Sequence, residues 1–274
     1  MCCFPSSQGG TVNHPDRPIA AEPAYHNQIF LDSDDGRPLR ILAEYLEPLY
    51  RLKREGIHDT IVFFGSARMK EDGPLGRYYK DARLLARLLT EWSRDLAGSK
   101  RFVICSGGGG GIMEAANRGA ADAGGSTIGF NIGLPHEQRP NPYVTPSLLF
   151  EFHYFFMRKL WFSHLARALI VFPGGFGTLD EFMEMLTLAQ TEKIDREILI
   201  LLYGSEYWKE VINFDSLVKH EMIDAEDMNL IHRVDNVQTA FEFLKNRLPK
   251  GKEEVCPAIA KAKFSKPRIE EATR

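Results

Sequence analysis

The run "RFVICSGGGGGIMEAANRGAADAG", Arg101 to Gly124, decides the fold. It opens with a short, β-rich apolar segment, passes through the glycine turn Ser106 to Gly111, and continues with small and apolar residues at helical spacing. A strand without inside/outside alternation suits a parallel sheet covered on both faces. The same unit recurs on either side. "DTIVFFGSAR" (59–68) is a strand ending in Gly65-Ser66-Ala67, and "YYKDARLLARLLTEW" (78–92) after it is helical. "STIGFNI" (126–132) reads as a strand, followed by a Pro- and Asn-rich loop. "FFMRKLWFSHLARA" (155–168) is helical, "ALIVFPGG" (168–175) a strand, "GTLDEFMEMLTLAQ" (177–190) helical and "EILILLY" (197–203) a strand. Helical stretches near 206–220 and 236–248 follow. Strands alternating with helices predict a doubly wound α/β fold.

The chain has 274 residues, enough for one generous α/β domain. Residues 1–35, rich in Pro, Ser, Gly and Asp, read as a flexible leader, and the Lys- and Glu-rich 250–274 as a flexible tail. Between them, 36–249 reads as a single domain. It begins with a helix over Pro38–Glu55, whose Leu39, Leu42, Leu46, Leu49 and Leu52 recur at helical spacing and which Pro48 is expected to kink or divide.

A formal net charge of -3 supplies no basic field for a nucleic-acid polymer. No apolar run approaches the ~20 residues of a membrane span, and the N-terminus lacks the layout of a signal peptide. The protein is expected to be cytoplasmic, with no membrane partner. Its four cysteines show neither metal spacing nor a disulfide framework, and Cys105, within an apolar run, reads as a buried, inert thiol. His136, His153 and His164 show no ligand spacing either, so no metal is expected. The aromatic cluster Phe150, Phe152, Tyr154, Phe155, Phe156 and Trp161 reads as core or subunit interface.

In a doubly wound fold the strand-to-helix turns gather at the carboxyl edge of the sheet, where ligands bind. Three such turns are glycine-rich or small: Gly65-Ser66-Ala67, Ser106–Gly111 and Gly174-Gly175-Phe176-Gly177-Thr178. Glycine admits close backbone approach, and a following helix N-terminus offers N–H donors to an anion. The five-glycine run lacks the Lys-Ser/Thr of a P-loop and misses G-x-G-x-x-G, so a dinucleotide is not indicated and a mononucleotide or sugar phosphate fits better.

Thr178-Leu179-Asp180-Glu181 admits two readings. It is a T-x-x-E capping box, and capping is favoured on that feature alone. Alternatively Glu181 faces the ligand edge, the buried stripe being Leu179, Phe182, Met183 and Leu186. The helix N-terminus would then hold the carboxylate ionised. Arg158 and Lys159 lie early in a helix whose buried stripe reads Met157, Leu160, Trp161, His164 and Leu165. Cations there oppose the helix dipole, and a nearby anion removes the conflict. Helix and strand lengths bring Arg158 to the sheet edge where Glu181 begins the next helix.

"PGGFGTLDE" (173–181), "MRK" (157–159), "SGGGGGIMEAANRGA" (106–120) and "FFGSAR" (63–68) resemble the LONELY GUY family over roughly 58–245. Its members are phosphoribohydrolases of cytokinin riboside 5′-monophosphates, and many carry an inherited "lysine decarboxylase" label. The resemblance implies a Rossmann-like fold, a homodimer and no metal or organic cofactor. It implies Arg158 and Glu181 as the catalytic pair. Phosphate and substrate contacts would come from Gly174, Gly175, Gly177 and Thr178, helped by Ser66, Gly108, Gly109, Gly110 and Met157. The expected substrate is a nucleoside 5′-monophosphate. Two rivals stand beside this reading: a general mononucleotide nucleosidase, and a non-catalytic carrier of nucleotide or molybdenum cofactor.

Overall fold

The computed structural model describes residues 22–96, 100–133, 139–194 and 196–248. His136 and the tail from 250 lie outside these, as does the leader up to residue 21. The chain divides into two compact units, Met1–Leu42 and Ala43–Arg274. In the first, a 3-10 turn at Ala24–His26 precedes helix α1, Gln28–Asp32, capped by the Asn27 side chain on the Phe30 amide. Arg40 donates there to the Leu31 carbonyl and, at 2.7 Å, to that of Ser33. Helix α2, Arg37–Arg54, crosses from this unit into the second, and Pro48 sits inside it without dividing it.

The second unit holds a seven-stranded sheet in the order β4-β3-β2-β1-β5-β6-β7. The strands are β1 (Thr60–Phe64), β2 (Val103–Ser106), β3 (Thr127–Ile132), β4 (Leu149–Phe152), β5 (Ala166–Val171), β6 (Leu199–Tyr203) and β7 (Ile231–Val234). Every pairing is parallel. Between them run α3 (Gly76–Arg94), α4 (Ile112–Asp122), α5 (Phe155–Leu165), α6 (Phe176–Gln190), α7 (Ser205–Val211) and α8 (Phe214–Lys219), and α9 (Val237–Arg247) closes the described chain. This is the expected Rossmann-like α/β architecture.

Alternation along β1 sends Ile61 and Phe63 to one face, where they pack with Leu85 of α3, Ala116 of α4 and Leu244 of α9. On the opposite face Phe64 and Phe130 meet Phe162 of α5, with ring centroids 4.9 and 5.3 Å apart. Both faces are thus covered, which explains the unbroken apolar strands. Arg51 of α2 donates to the Leu149 carbonyl at 2.7 Å and lies over the Phe150 ring, tying α2 to the edge strand β4.

Several expectations change. The aromatic stretch near Phe150 contains strand β4, and "IHRV" forms β7; neither was anticipated. The stretch 206–220 is two helices, because the Asn213 side chain caps a new start by accepting from the Ser216 amide. On α6 the buried residues are Thr178, Phe182 and Met185, while Leu179, Met183 and Leu186 are half-buried. On α5 they are Met157, Trp161, Phe162 and Leu165, so Phe162 takes the place expected of Leu160, which is exposed.

Candidate active site

In a parallel sheet all carboxyl ends share one edge, so the turns after β1, β2 and β5 meet there. The chain runs outward from β1 through β2, β3 and β4, then returns to the other side of β1 with β5. That reversal leaves a crevice at the centre of the edge, the place where open α/β sheets bind ligands. The turns flanking it are joined. The Ser66 amide donates to the Pro173 carbonyl at 3.0 Å, and the Ser66 carbonyl accepts from the Ile112 amide at 3.1 Å. A side chain at Gly111, whose φ is +64°, would sit 2.1 Å from the Ser66 oxygen. Only glycine lets these two turns touch.

The β2–α4 turn rests on a buried polar network. Asn117 of α4 accepts from the Ser106 hydroxyl at 2.7 Å and donates to the Thr127 hydroxyl at 2.5 Å. The buried Asn141 donates through Nδ2 to the Gly108 and Gly109 carbonyls, at 3.0 and 2.9 Å, and to Asn117 Oδ1 at 2.9 Å. Its own amide reaches the Gly108 carbonyl at 2.8 Å.

The third turn differs from the capping-box reading. Helix α6 begins at Phe176 with Gly175 as N-cap and no side-chain cap, so Thr178 already lies inside the helix. Thr178 is buried against Gly174, where an added Cβ would fall 2.1 Å from the Thr178 hydroxyl. Added Cβ atoms at Gly175 and Gly177 would meet nothing within 4 Å. The Tyr207 hydroxyl of α7 donates to the Gly174 carbonyl at 2.7 Å.

Glu181, freed from capping, pairs with Arg158: Nη2 to Oε1 is 2.5 Å, with the two side chains 11% and 14% exposed. The convergence follows from topology, since α5 leaves the carboxyl end of β4 and α6 that of β5. Arg158 lies beside the Phe155 and Phe162 rings, and its Nη1 is 3.9 Å from the Cβ position of Gly107. The guanidinium therefore lies between the carboxylate and the β2–α4 turn. Burial pushes the Glu181 carboxyl up to about 7, with Asp180 and Glu184 adding to the rise and Arg158 and Lys159 opposing it. Desolvation thus acts against the ionised form that the helix terminus was expected to favour. Lys159 turns the other way, to Asp180 at 2.7 Å and Glu184 at 3.0 Å. Burial lowers its pKa, but those two partners outweigh that and hold it above the ordinary lysine value.

Of the remaining expected site residues, Ser66 and Gly110 are half-buried, Gly108 and Gly109 are buried, and Met157 belongs to the packed face of α5. Asn141, Tyr207 and Glu44 were not anticipated. Glu44 of α2 accepts from the His153 and Tyr154 amides at 2.8 and 3.2 Å, ahead of α5, whose N-cap Tyr154 makes no side-chain cap. Cys105 is buried and unpaired, and burial raises its thiol well above the ordinary range. Among the described residues no group of three or more His, Cys, Asp or Glu is placed to hold a metal ion, and no helix is long and apolar enough to cross a membrane.

Fold and crevice together define a Rossmann-like α/β protein with a buried, ion-paired carboxyl at its topological switch point. Comparison with known proteins gives the relationship. Residues 113–244 match the family described as "Possible lysine decarboxylase". A cytokinin riboside 5′-monophosphate phosphoribohydrolase from Rhodococcoides fascians is 28% identical over 135 residues, covering 48% of this chain and 65% of that protein. A probable enzyme of the same name, LOG4 of Oryza sativa subsp. japonica, is 27% identical over 185 residues, covering 67% of this chain and 74% of the rice protein. At modest identity, then, the chain is similar to cytokinin riboside 5′-monophosphate phosphoribohydrolases. Among solved structures, a molybdenum cofactor binding protein from Rippkaea orientalis covers 70% of this chain and 98% of its own, at 20% identity and a TM-score of 0.48. That likeness is too slight to bear on ligand or activity.

Proposed function

We propose that the chain hydrolyses the N-glycosidic bond of a nucleoside 5′-monophosphate, releasing free base and ribose 5-phosphate. Cytokinin riboside 5′-monophosphates and AMP are the substrates to test. The observation that carries this reading is the Arg158–Glu181 pair at the crevice formed by the glycine turns.

Glycosidic cleavage passes through an oxocarbenium-like state, with positive charge gathering on the ribose. The C1′–N bond breaks with its electrons passing to the base, which takes up a proton. A water oxygen bonds to C1′ and gives up a proton. Ionised Glu181 suits both needs, opposing the cation and accepting the water proton. A carboxyl poised near 7 exchanges protons readily at neutral pH. Gly174, Gly175, Gly177, Thr178, Ser66 and Gly108–Gly110 would anchor the 5′-phosphate, so that binding energy remote from the reacting bond fixes C1′ against the carboxylate. The open space above Gly175 and Gly177 supports this, because among the described residues nothing lies within 4 Å of a Cβ added there. Arg158 orients Glu181 and offers charge to the phosphate or the departing base.

The decarboxylase description fits the site poorly. A Schiff-base lysine must be able to lose its proton, and Lys159 is held protonated by two carboxylates.

The test is free-base release from a panel of 5′-monophosphates, including AMP and N6-isopentenyl-AMP, by wild type and Glu181→Gln. We expect release by wild type and a loss of about 10²-fold or more in the variant. No release from any nucleotide, or an equally active variant, overturns the proposal.

A further inference from the structure

A trans peptide group points its C=O and the next residue's N–H in opposite directions. Pinning a carbonyl therefore aims the following donor. In the β2–α4 turn, Asn141 holds the Gly108 and Gly109 carbonyls, which turns the Gly109 and Gly110 N–H groups away from it. Gly109 is buried, and among the described residues neither of these N–H groups has an acceptor. Buried backbone donors are seldom left without a partner, which protein, ordered water or a ligand supplies. The same device recurs in the β5–α6 turn. Tyr207 holds the Gly174 carbonyl and Ser66 that of Pro173, which aims the Gly175 and Gly174 N–H groups; these too lack acceptors among the described residues.

From this geometry we propose that Asn141 and Tyr207 are positioning residues for an anion: side chains from outside the glycine turns that rotate their peptide planes so that N–H groups line the crevice. Successive N–H groups held this way form the concave nests that bind phosphate. Neither residue touches the reacting atoms. The assignment rests on the phosphorylated-ligand part of the proposed function and not on the hydrolytic step. It also gives Ser66 a precise task, as the backbone member of the same set of pins.

Tyr207→Phe removes one oxygen from a half-buried ring, and Asn141→Ser shortens a buried amide that also braces Asn117. The probes are ribose 5-phosphate and adenosine, each titrated by calorimetry against full-length wild type and both variants, with thermal midpoints measured alongside. We expect the Kd for ribose 5-phosphate to rise about tenfold in each variant, while the adenosine affinity is unchanged. Parallel loss for both probes would assign the residues to general packing and overturn the proposal. So would unchanged ribose 5-phosphate affinity in a folded Tyr207→Phe, or a wild type that does not bind ribose 5-phosphate. An Asn141→Ser protein that fails to fold removes that residue from the proposal and leaves Tyr207→Phe to decide it. A wild type that binds ribose 5-phosphate but releases no base defeats the hydrolase reading alone.

Discussion

Replacing Arg158 by Met should move the acid limb of the pH–rate profile upward. The Glu181 carboxyl, near 7 in the intact site, is raised by burial and held down by Arg158. With the hydrogen-bonded pair at 2.5 Å and charge centres about 4 Å apart, an effective dielectric of about 20 gives roughly 4 kcal/mol of attraction. That corresponds to about 3 pKa units, the upper end of the 1–3 units typical for an Arg neighbour. The limb should therefore rise from about 7 to about 8–10. The direction follows from charge: removing the cation favours the neutral carboxyl, so more alkali is needed to reach the working carboxylate. The assay is kcat/KM for base release from AMP between pH 5 and 10, which reports groups of the free enzyme and substrate. Substrate phosphate titrates near pH ~6 in both proteins, so only a displaced limb belongs to Glu181. A limb that stays in place or moves to lower pH refutes the coupling, whatever the fall in amplitude.

The glycines of the β5–α6 turn should separate by readout. Gly174→Ala forces a Cβ onto the Thr178 hydroxyl and should cost about 1–3 kcal/mol of stability in chemical denaturation. Gly175→Ala and Gly177→Ala meet open space, so both should unfold within about 1 kcal/mol of wild type yet show a raised KM; normal kinetics in both would count against a phosphate there. Glu44→Ala strips the acceptor from the start of α5 and should cost about 1–2 kcal/mol, as lost helix caps do. It should lower kcat more than it raises KM, because Arg158 rides on that helix; an unchanged kcat would show that α5 holds its place without it.

The interior of the fold was legible because buried parallel strands announce themselves as apolar runs and glycine punctuates their turns. The two edge strands were not. In β4 only Phe150 and Phe152 are buried, and β7 carries His232 and Arg233 in its four residues, so neither forms an apolar run. Arg158 and Glu181 could be brought together from topology alone, since helix and strand lengths determine which ends meet. The capping box misled because T-x-x-E is equally the sequence of a carboxylate one turn beyond a buried threonine. Where a helix starts depends on the backbone at Gly175, which the side-chain pattern does not encode. Asn141 and Tyr207 had no local signature. An asparagine between prolines and a tyrosine on a short helix become pins only once the fold lays them over glycine carbonyls.

The position of β1 sets a schedule for making the protein. It is the central strand, yet it is synthesised first, and its partner β5 follows about a hundred residues later, Phe64 pairing with Val171. At ribosomal rates of 5–20 residues per second, one edge of β1 waits on the order of 5–20 s for its neighbour. The half-sheet β4-β3-β2-β1 must hold an apolar strand with open hydrogen bonds through that interval. The segment 113–244 begins after both β1 and β2, so taken by itself it lacks the centre of the sheet.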